Sequence, residues 1–141
     1  MIKLTKIFHF ETAHAIHGYN GACNNIHGHS YELHVTVKAD KDFEDFIPAP
    51  GFIIDFKEIK RVVKDEVIQQ FDHKLILSED FIQAHLFKTT QSNLIIWKVE
   101  PTAENILLYI KSKLQLALPQ YIQVANLKLF ETKNSYAEWC N

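Results

Sequence analysis

Three histidines near the amino terminus have the residue type and the spacing of a metal site. His27 and His29 stand two positions apart at the start of an alternating segment, so on a strand both imidazoles point to one face, about 7 Å apart along the chain. His14 ends the preceding alternating segment, and antiparallel pairing of the two segments would bring it beside them. Three neutral imidazoles leave one position of a tetrahedral ion open, as in catalytic zinc sites. We predict a Zn²⁺ site, although the same ligands accept other borderline divalent ions.

The chain has eight histidines, and six of them fall within the first 34 residues. Strand alternation places His9 and His34 on the face opposite the three candidate ligands, so neither is expected to bind the metal. His17 and His85 are interpreted as loop residues without an evident partner.

Cys23 precedes His27 by four residues in a polar loop. Near a divalent cation its thiol would ionise more readily and could act as a base or a nucleophile. A fourth metal ligand and an unreactive small residue are the alternatives. We assign no role to Cys140.

Two further motifs carry ionisable groups. In Asp72-His73 a carboxylate stands beside an imidazole, whose tautomer and basicity it can set. Glu131 alternates with Leu127 and Leu129, so we expect it on a buried face, where a carboxylate needs a partner or a ligand. It could accept two parallel hydrogen bonds from adjacent NH and NH₂ groups of a pterin-like ring. A salt bridge to Lys128 or Lys133 is the alternative.

Composition limits the class of protein. The 141 residues suit one domain, and a net charge of −2 provides no basic field for nucleic acid or membrane binding. Two cysteines cannot form a disulfide framework, which favours a reducing compartment. The amino terminus does not resemble a signal peptide, and no apolar run is long enough for a membrane span. We therefore expect a cytoplasmic protein.

The elements that must position these residues follow an order of β-β-α-α-β-β. Alternation predicts strands over 2–14, 27–39, 122–132 and 135–140. Helical spacing predicts one helix from a cap at Asp55 to about residue 70 and another that opens at Thr102 and ends before Pro119. The pattern indicates an α+β two-layer domain over 1–141, whose open sheet edges need cover. Residues 74–100 are interpreted as an insertion between the helices.

The chain resembles the 6-pyruvoyltetrahydropterin synthase / 6-carboxytetrahydropterin synthase family. The matching motifs are FETAH (10–14), CNNIHGH (23–29), GFIIDF (51–56), FDHK (71–74), PTAEN (101–105) and FET (130–132). The resemblance implies the tunnelling fold, in which β-β-α-α-β-β subunits close into a barrel, usually as a homohexamer of two stacked trimers. It also implies conversion of 7,8-dihydroneopterin triphosphate with no nicotinamide or flavin, and the chain carries no GxGxxG motif.

The resemblance also implies roles for individual residues. By analogy, zinc is held by His14, His27 and His29, and Cys23 is the proton acceptor. The relay dyad is formed by Asp72 and His73, contributed by a neighbouring subunit. Glu131 anchors the pterin ring or completes the relay, with Thr102 and Glu104 near the same pocket.

Two departures and one spacing bear on specificity. Many members have an arginine where this chain has Ala15, and 74–100 is longer than in compact members, as a lid or a surface elaboration would be. The short spacing between Cys23 and His27 resembles the bacterial members that form 6-carboxytetrahydropterin, the precursor of queuosine, with loss of acetaldehyde. The alternatives are 6-pyruvoyltetrahydropterin formation and a zinc- and pterin-binding protein without catalysis.

Overall fold

The computed structural model describes all 141 residues and contains a mixed six-stranded sheet. Its strands are β1 (Lys3–His14), β2 (His27–Ala39), β3 (Lys74–Ser78), β4 (Leu94–Trp97), β5 (Ile122–Thr132) and β6 (Ser135–Cys140). Their order across the sheet is β4-β3-β1-β2-β5-β6. The four strands predicted from alternation are confirmed, and their antiparallel pairing fixes how the ends of β1 and β2 meet.

The helices lie between the second and fifth strands in the chain. They are α1 (Phe56–Val63), which continues through a π-helical segment (Lys64–Ile68) into α2 (Gln69–Phe71), then α3 (Glu79–His85) and α4 (Ala103–Ala117). The predicted caps are confirmed: the Asp55 carboxylate accepts from the Lys57 amide at 2.8 Å, and the Thr102 hydroxyl from the Asn105 amide at 3.3 Å. No helix has both the length and the apolar character needed to cross a lipid bilayer.

One face of the sheet is buried under the helices. Alternate side chains of β1 and β2 enter a core of 22 buried residues, while the residues between them face outward. The largest fully buried side chains are Tyr31, Phe10, Phe71, Leu33, Ile59, Ile76, Leu77, Ile106, Ile110, Leu114, Leu127 and Leu129. This alternation decides which histidines share a face.

Residues 74–100 do lie between the helices, but they carry regular structure that the sequence analysis did not predict. This segment forms β3, α3 and β4, and it extends the sheet by two strands, with β3 parallel to β1 and β4 parallel to β3. The element order is therefore β-β-α-β-α-β-α-β-β. β3 and β4 have five and four residues, too short for alternation to distinguish them from loop, and β3 meets β1 over only three register pairs.

Candidate active site

The three candidate ligands converge at the paired ends of β1 and β2. His14 is the register partner of His27, and His29 follows two positions later on the same face. The coordinating atoms of these three residues all lie within 4.8 Å of one another, and the ring centroids of each pair are 4.6 to 5.1 Å apart. The structure thus brings together the three histidines that the spacing predicts.

Backbone carbonyls orient two of the rings. Nδ1 of His14 donates to the Pro101 carbonyl at 2.6 Å, and Nδ1 of His27 donates to the Asn25 carbonyl at 2.7 Å. Because a carbonyl oxygen can only accept, each neutral ring carries its proton on Nδ1 and presents a lone pair on Nε2. These two Nε2 atoms lie 3.1 Å apart, close to the roughly 3.3 Å that separates two nitrogens bound to one tetrahedral zinc ion. Facing lone pairs repel unless a cation lies between them, so the donor set fits a metal.

Burial favours the neutral form of two of the three candidate ligands, His14 and His29. The pKa of His14 is lowered to about 4, chiefly because its ring is desolvated; the bond to Pro101 opposes this shift, and repulsion from the other two rings adds to it. The pKa of His29 is also lowered by burial, against the attraction of the Glu131 carboxylate. Nε2 of His29 is buried and has no hydrogen-bond partner, as expected for an atom that awaits a ligand.

Glu131 lies beside the histidines. One of its carboxylate oxygens is 3.7 Å from Nε2 of His29, and its side chain is 29% exposed. Lys128, the alternative partner, pairs instead with Glu138 at 3.6 Å. A cavity of about 520 Å³ between the ends of β2 and β5 is lined by His29 and Glu131, and Glu131 reaches a second cavity of about 350 Å³. Its carboxylate is therefore available to a ligand.

Thr102 and Glu104 differ in their availability. Glu104 lines the smaller cavity together with Glu131. The Thr102 hydroxyl caps α4 and so is already engaged with the backbone. Thr102 directly follows Pro101, whose carbonyl orients His14, so the start of α4 lies next to the three histidines.

The Asp72-His73 dyad lies beside β1, directly before β3. The two side chains are 3.1 Å apart, and the second Asp72 oxygen accepts from the Glu11 amide at 2.9 Å. His73 has a positive φ of 59°, and its side chain is 80% exposed in a cavity that Glu11 also lines. His29 lines this cavity as well, so the dyad borders one of the three histidines of its own subunit.

Cys23 lies outside the histidine group. It occupies a 3₁₀ turn (Ala22–Asn24) in the loop between β1 and β2, where it is exposed and has no disulfide partner. Its backbone carbonyl accepts from the Ile16 amide at 2.7 Å. The thiol does not belong to the cluster of converging ligand atoms, which leaves the fourth metal position to another group.

The remaining histidines show one correct assignment and one error. His9 and His34 each contact Glu32 on the outer face, at 3.1 and 2.6 Å, which confirms that they stand apart from the ligands. His17 does lie in a turn after β1, and its Nδ1 has no hydrogen-bond partner, but the interpretation of His85 as a loop residue is wrong. His85 ends α3, and its ring contacts the His17 ring at a centroid distance of 5.9 Å, because the unrecognised helix carries it there.

Sequence reasoning left Tyr31 without a role. Its ring is fully buried and lies edge-on to His29 at a centroid distance of 5.4 Å, and its hydroxyl has no hydrogen-bond partner. Burial, with a contribution from the Glu131 carboxylate, raises the pKa of this phenol far above its usual value. Strand parity placed Tyr31 on the ligands' face, and that parity was the signal available.

Comparison with known proteins agrees with this geometry. The model of the family described as 6-pyruvoyl tetrahydropterin synthase matches residues 3–140. A 6-carboxy-5,6,7,8-tetrahydropterin synthase of Rickettsia typhi is 35% identical over 98% of this chain and 99% of its own length. The human 6-pyruvoyl tetrahydrobiopterin synthase is 30% identical over 82% of this chain and 68% of its own length.

Solved structures identify the fold. The 6-pyruvoyl tetrahydropterin synthase of Plasmodium falciparum superposes with a TM-score of 0.72 at 19% identity, covering 99% of this chain and 97% of the other. The expected α+β tunnelling fold is thereby confirmed, with two strands more than predicted. The chain belongs to the 6-pyruvoyl tetrahydropterin synthase family and is a lyase-type enzyme of the tetrahydropterin synthases.

Proposed function

We propose that this enzyme is a zinc-dependent lyase that converts 7,8-dihydroneopterin triphosphate to 6-carboxy-5,6,7,8-tetrahydropterin, releasing acetaldehyde and triphosphate, in queuosine biosynthesis in the cytoplasm. The observation that carries the proposal is the group of His14, His27 and His29, whose ligand atoms converge within 4.8 Å beside the Glu131 carboxylate. A metal position and a ring-binding carboxylate together suit a hydroxylated pterin substrate.

The metal is held by the three imidazoles in this proposal. Their Nε2 lone pairs and their lowered proton affinity at His14 and His29 favour cation binding at neutral pH. When bound, Zn²⁺ supplies Lewis-acid polarisation of the substrate's side-chain oxygens and so acidifies the neighbouring C–H bond.

Glu131 orients the pterin ring. An ionised carboxylate accepts two parallel hydrogen bonds from adjacent NH and NH₂ groups, and the pterin presents such a pair. Because Glu131 contacts His29 at 3.7 Å, a ring held there would extend its side chain toward the three histidines. Glu104 borders the same space and Thr102 fixes the start of α4, so both contribute to substrate binding in this proposal.

Proton transfer is assigned to Cys23 and to the Asp72-His73 dyad. The Cys23 thiolate accepts the proton from the substrate carbon next to the ring, and His73, held by Asp72 at 3.1 Å, moves protons at a second position. The dyad is exposed at the start of β3, with the His73 side chain 80% accessible to another subunit. This arrangement supports a site shared between subunits, in which each dyad serves a neighbour.

Shared sites require an oligomer, and we propose a homohexamer. β4 and β6 end the sheet with unpaired backbone edges, and both carry exposed apolar side chains, Ile96 at 54% and Tyr136 at 49%. Pairing between such edges would close sheets of several subunits into a barrel and cover these groups.

The choice of product rests on the relatives. The 6-carboxy relative of Rickettsia typhi matches over 98% of this chain and 99% of its own length, whereas the human 6-pyruvoyl enzyme is matched over 68% of its length. The short spacing between Cys23 and His27 agrees with this choice. The second candidate function is 6-pyruvoyltetrahydropterin formation, supported by the family description itself.

Product identification tests the proposal. The purified enzyme is incubated with 7,8-dihydroneopterin triphosphate, and the products are identified by mass together with an assay for acetaldehyde. We expect 6-carboxytetrahydropterin and acetaldehyde, and no turnover with Cys23→Ala. A product that retains the three-carbon side chain would establish the second candidate, and binding without turnover would establish a non-catalytic protein.

A further inference from the structure

The loop that carries Cys23 begins beside α3. Ala15, the first residue after β1, is fully buried, in a small cluster with Leu77 and Phe81 that is separate from the main core. A larger side chain at this position would have to displace Leu77 or Phe81. Ala15 stands where many family members have an arginine. Its methyl group packs against side chains of the long 74–100 segment.

His17, two positions after Ala15, also contacts α3. The His17 ring lies perpendicular to the His85 ring at 5.9 Å, and His85 stacks on Phe81 at 4.1 Å with an interplanar angle of 20°. Nδ1 of His85 donates to the Phe81 carbonyl at 3.0 Å, which fixes the orientation of the ring. The His17 amide donates to the Glu100 carboxylate at 2.8 Å, just before α4.

Ile16 lies between Ala15 and His17 and connects them to the backbone of Cys23. Its amide donates to the Cys23 carbonyl at 2.7 Å, closing the loop back on itself. Ala15 and His17 therefore hold the donor of the hydrogen bond whose acceptor belongs to Cys23. α3 itself is well anchored, because the buried Ser78 hydroxyl caps it by accepting from the Phe81 amide at 3.0 Å.

We propose that Phe81 and His85 are positioning residues for Cys23: they hold the start of the 15–26 loop and so set where the thiol lies relative to the three histidines. The proposal rests on the function proposed above, in which Cys23 accepts a proton from the substrate. The packing predicts a distinct pattern of effects. Loosening this contact displaces the thiol, whereas the metal ligands at the strand ends stay in register, because β1 and β2 hold them.

The test measures loop order and catalysis separately in Phe81→Ala and His85→Ala. In the first variant the ring against Ala15 is lost; in the second the surface contact to His17 is lost, and because His85 is exposed this variant should fold normally. We expect the hydrogen-exchange rate of the Ile16 amide to rise at least about tenfold in each, because the opening that exposes it becomes easier. We expect kcat to fall about tenfold while KM and zinc affinity stay within about twofold.

Two control variants distinguish positioning from general damage. Gln83→Ala removes an exposed side chain of the same helix and should leave exchange and kcat unchanged. His85→Phe keeps a flat ring for stacking on Phe81 and should restore part of kcat relative to His85→Ala.

The possible outcomes separate this proposal from the proposed function. Unchanged exchange at Ile16 in both variants overturns the proposal, as does faster exchange with unchanged kcat in an enzyme that Cys23→Ala inactivates. If Cys23→Ala retains full turnover, the assignment of the base fails instead, and the exchange data still decide whether α3 holds the loop.

Discussion

Acid should destabilise the metal-free protein through His14 before any carboxylate contributes. Burial lowers the pKa of His14 from 6.5 to about 4 in the folded protein. In the unfolded chain the pKa returns to about 6.5, so between these values the unfolded state binds a proton that the folded state does not. The free energy of unfolding therefore falls as pH falls from 6.5 toward 4, and this contribution is retained in full above pH 6.5.

The magnitude follows from the width of the window. One proton bound only by the unfolded chain changes the free energy of unfolding by about 1.4 kcal/mol per pH unit, so His14 alone removes about 2–3 kcal/mol between pH 6.5 and 4.5. The pKa of His29 is lowered as well and adds a loss of the same sign. Hydrogen bonds to neighbouring side chains lower the pKa values of Glu32, Glu58 and Glu138 in the folded protein, so their contributions are lost mainly as pH falls through and below 4.5, the value in the unfolded chain.

The assay is urea unfolding of chelator-treated protein at several pH values between 4.5 and 7.5 and at one protomer concentration. His14→Gln keeps an amide donor for the Pro101 carbonyl and removes the titration, so its free energy of unfolding should depend less steeply on pH by close to one proton. His9→Gln, on the outer face, is the control for loss of an imidazole and should retain the pH dependence that His14 contributes. Parallel curves for wild type and His14→Gln across the window would refute the view that His14 is buried as the neutral ring.

Three further outcomes follow from the site. His27→Ala removes one of the two facing lone pairs and should weaken zinc binding by at least about a hundredfold in a competition titration; tight one-to-one binding by this variant would exclude His27 as a ligand. Glu131→Gln keeps shape but loses the charge, and should weaken pterin binding by about tenfold or more in calorimetry; equal affinity would remove the ring-anchoring role. Tyr31→Phe deletes a buried hydroxyl without a partner, so the metal-free protein should keep its stability or gain up to about 1 kcal/mol, and a large loss on urea unfolding would reveal a missing partner.

The sequence by itself was sufficient to identify the three histidines that converge in the candidate metal site. The two-residue repeat of a strand places His27 and His29 on one face, and one short loop between antiparallel strands returns the chain to His14. The long strands and the capped helices were equally readable, because alternation over eleven or more residues and a cap at Asp55 or Thr102 are strong local signals.

Only the tertiary structure decided how residues 74–100 fold and which distant residues contact the loop after β1 and the Asp72-His73 dyad. β3 and β4 are too short to be recognised without the strands beside which they lie, and the partners of Ala15 and His17 lie more than 60 residues away in the chain. The contacts of the Asp72-His73 dyad also required the fold, because no local pattern around these residues predicts that Asp72 accepts from the Glu11 amide, 61 positions earlier in the chain. Local periodicity determines which side of its own strand a residue occupies, whereas its neighbours from distant segments depend on how the whole chain packs.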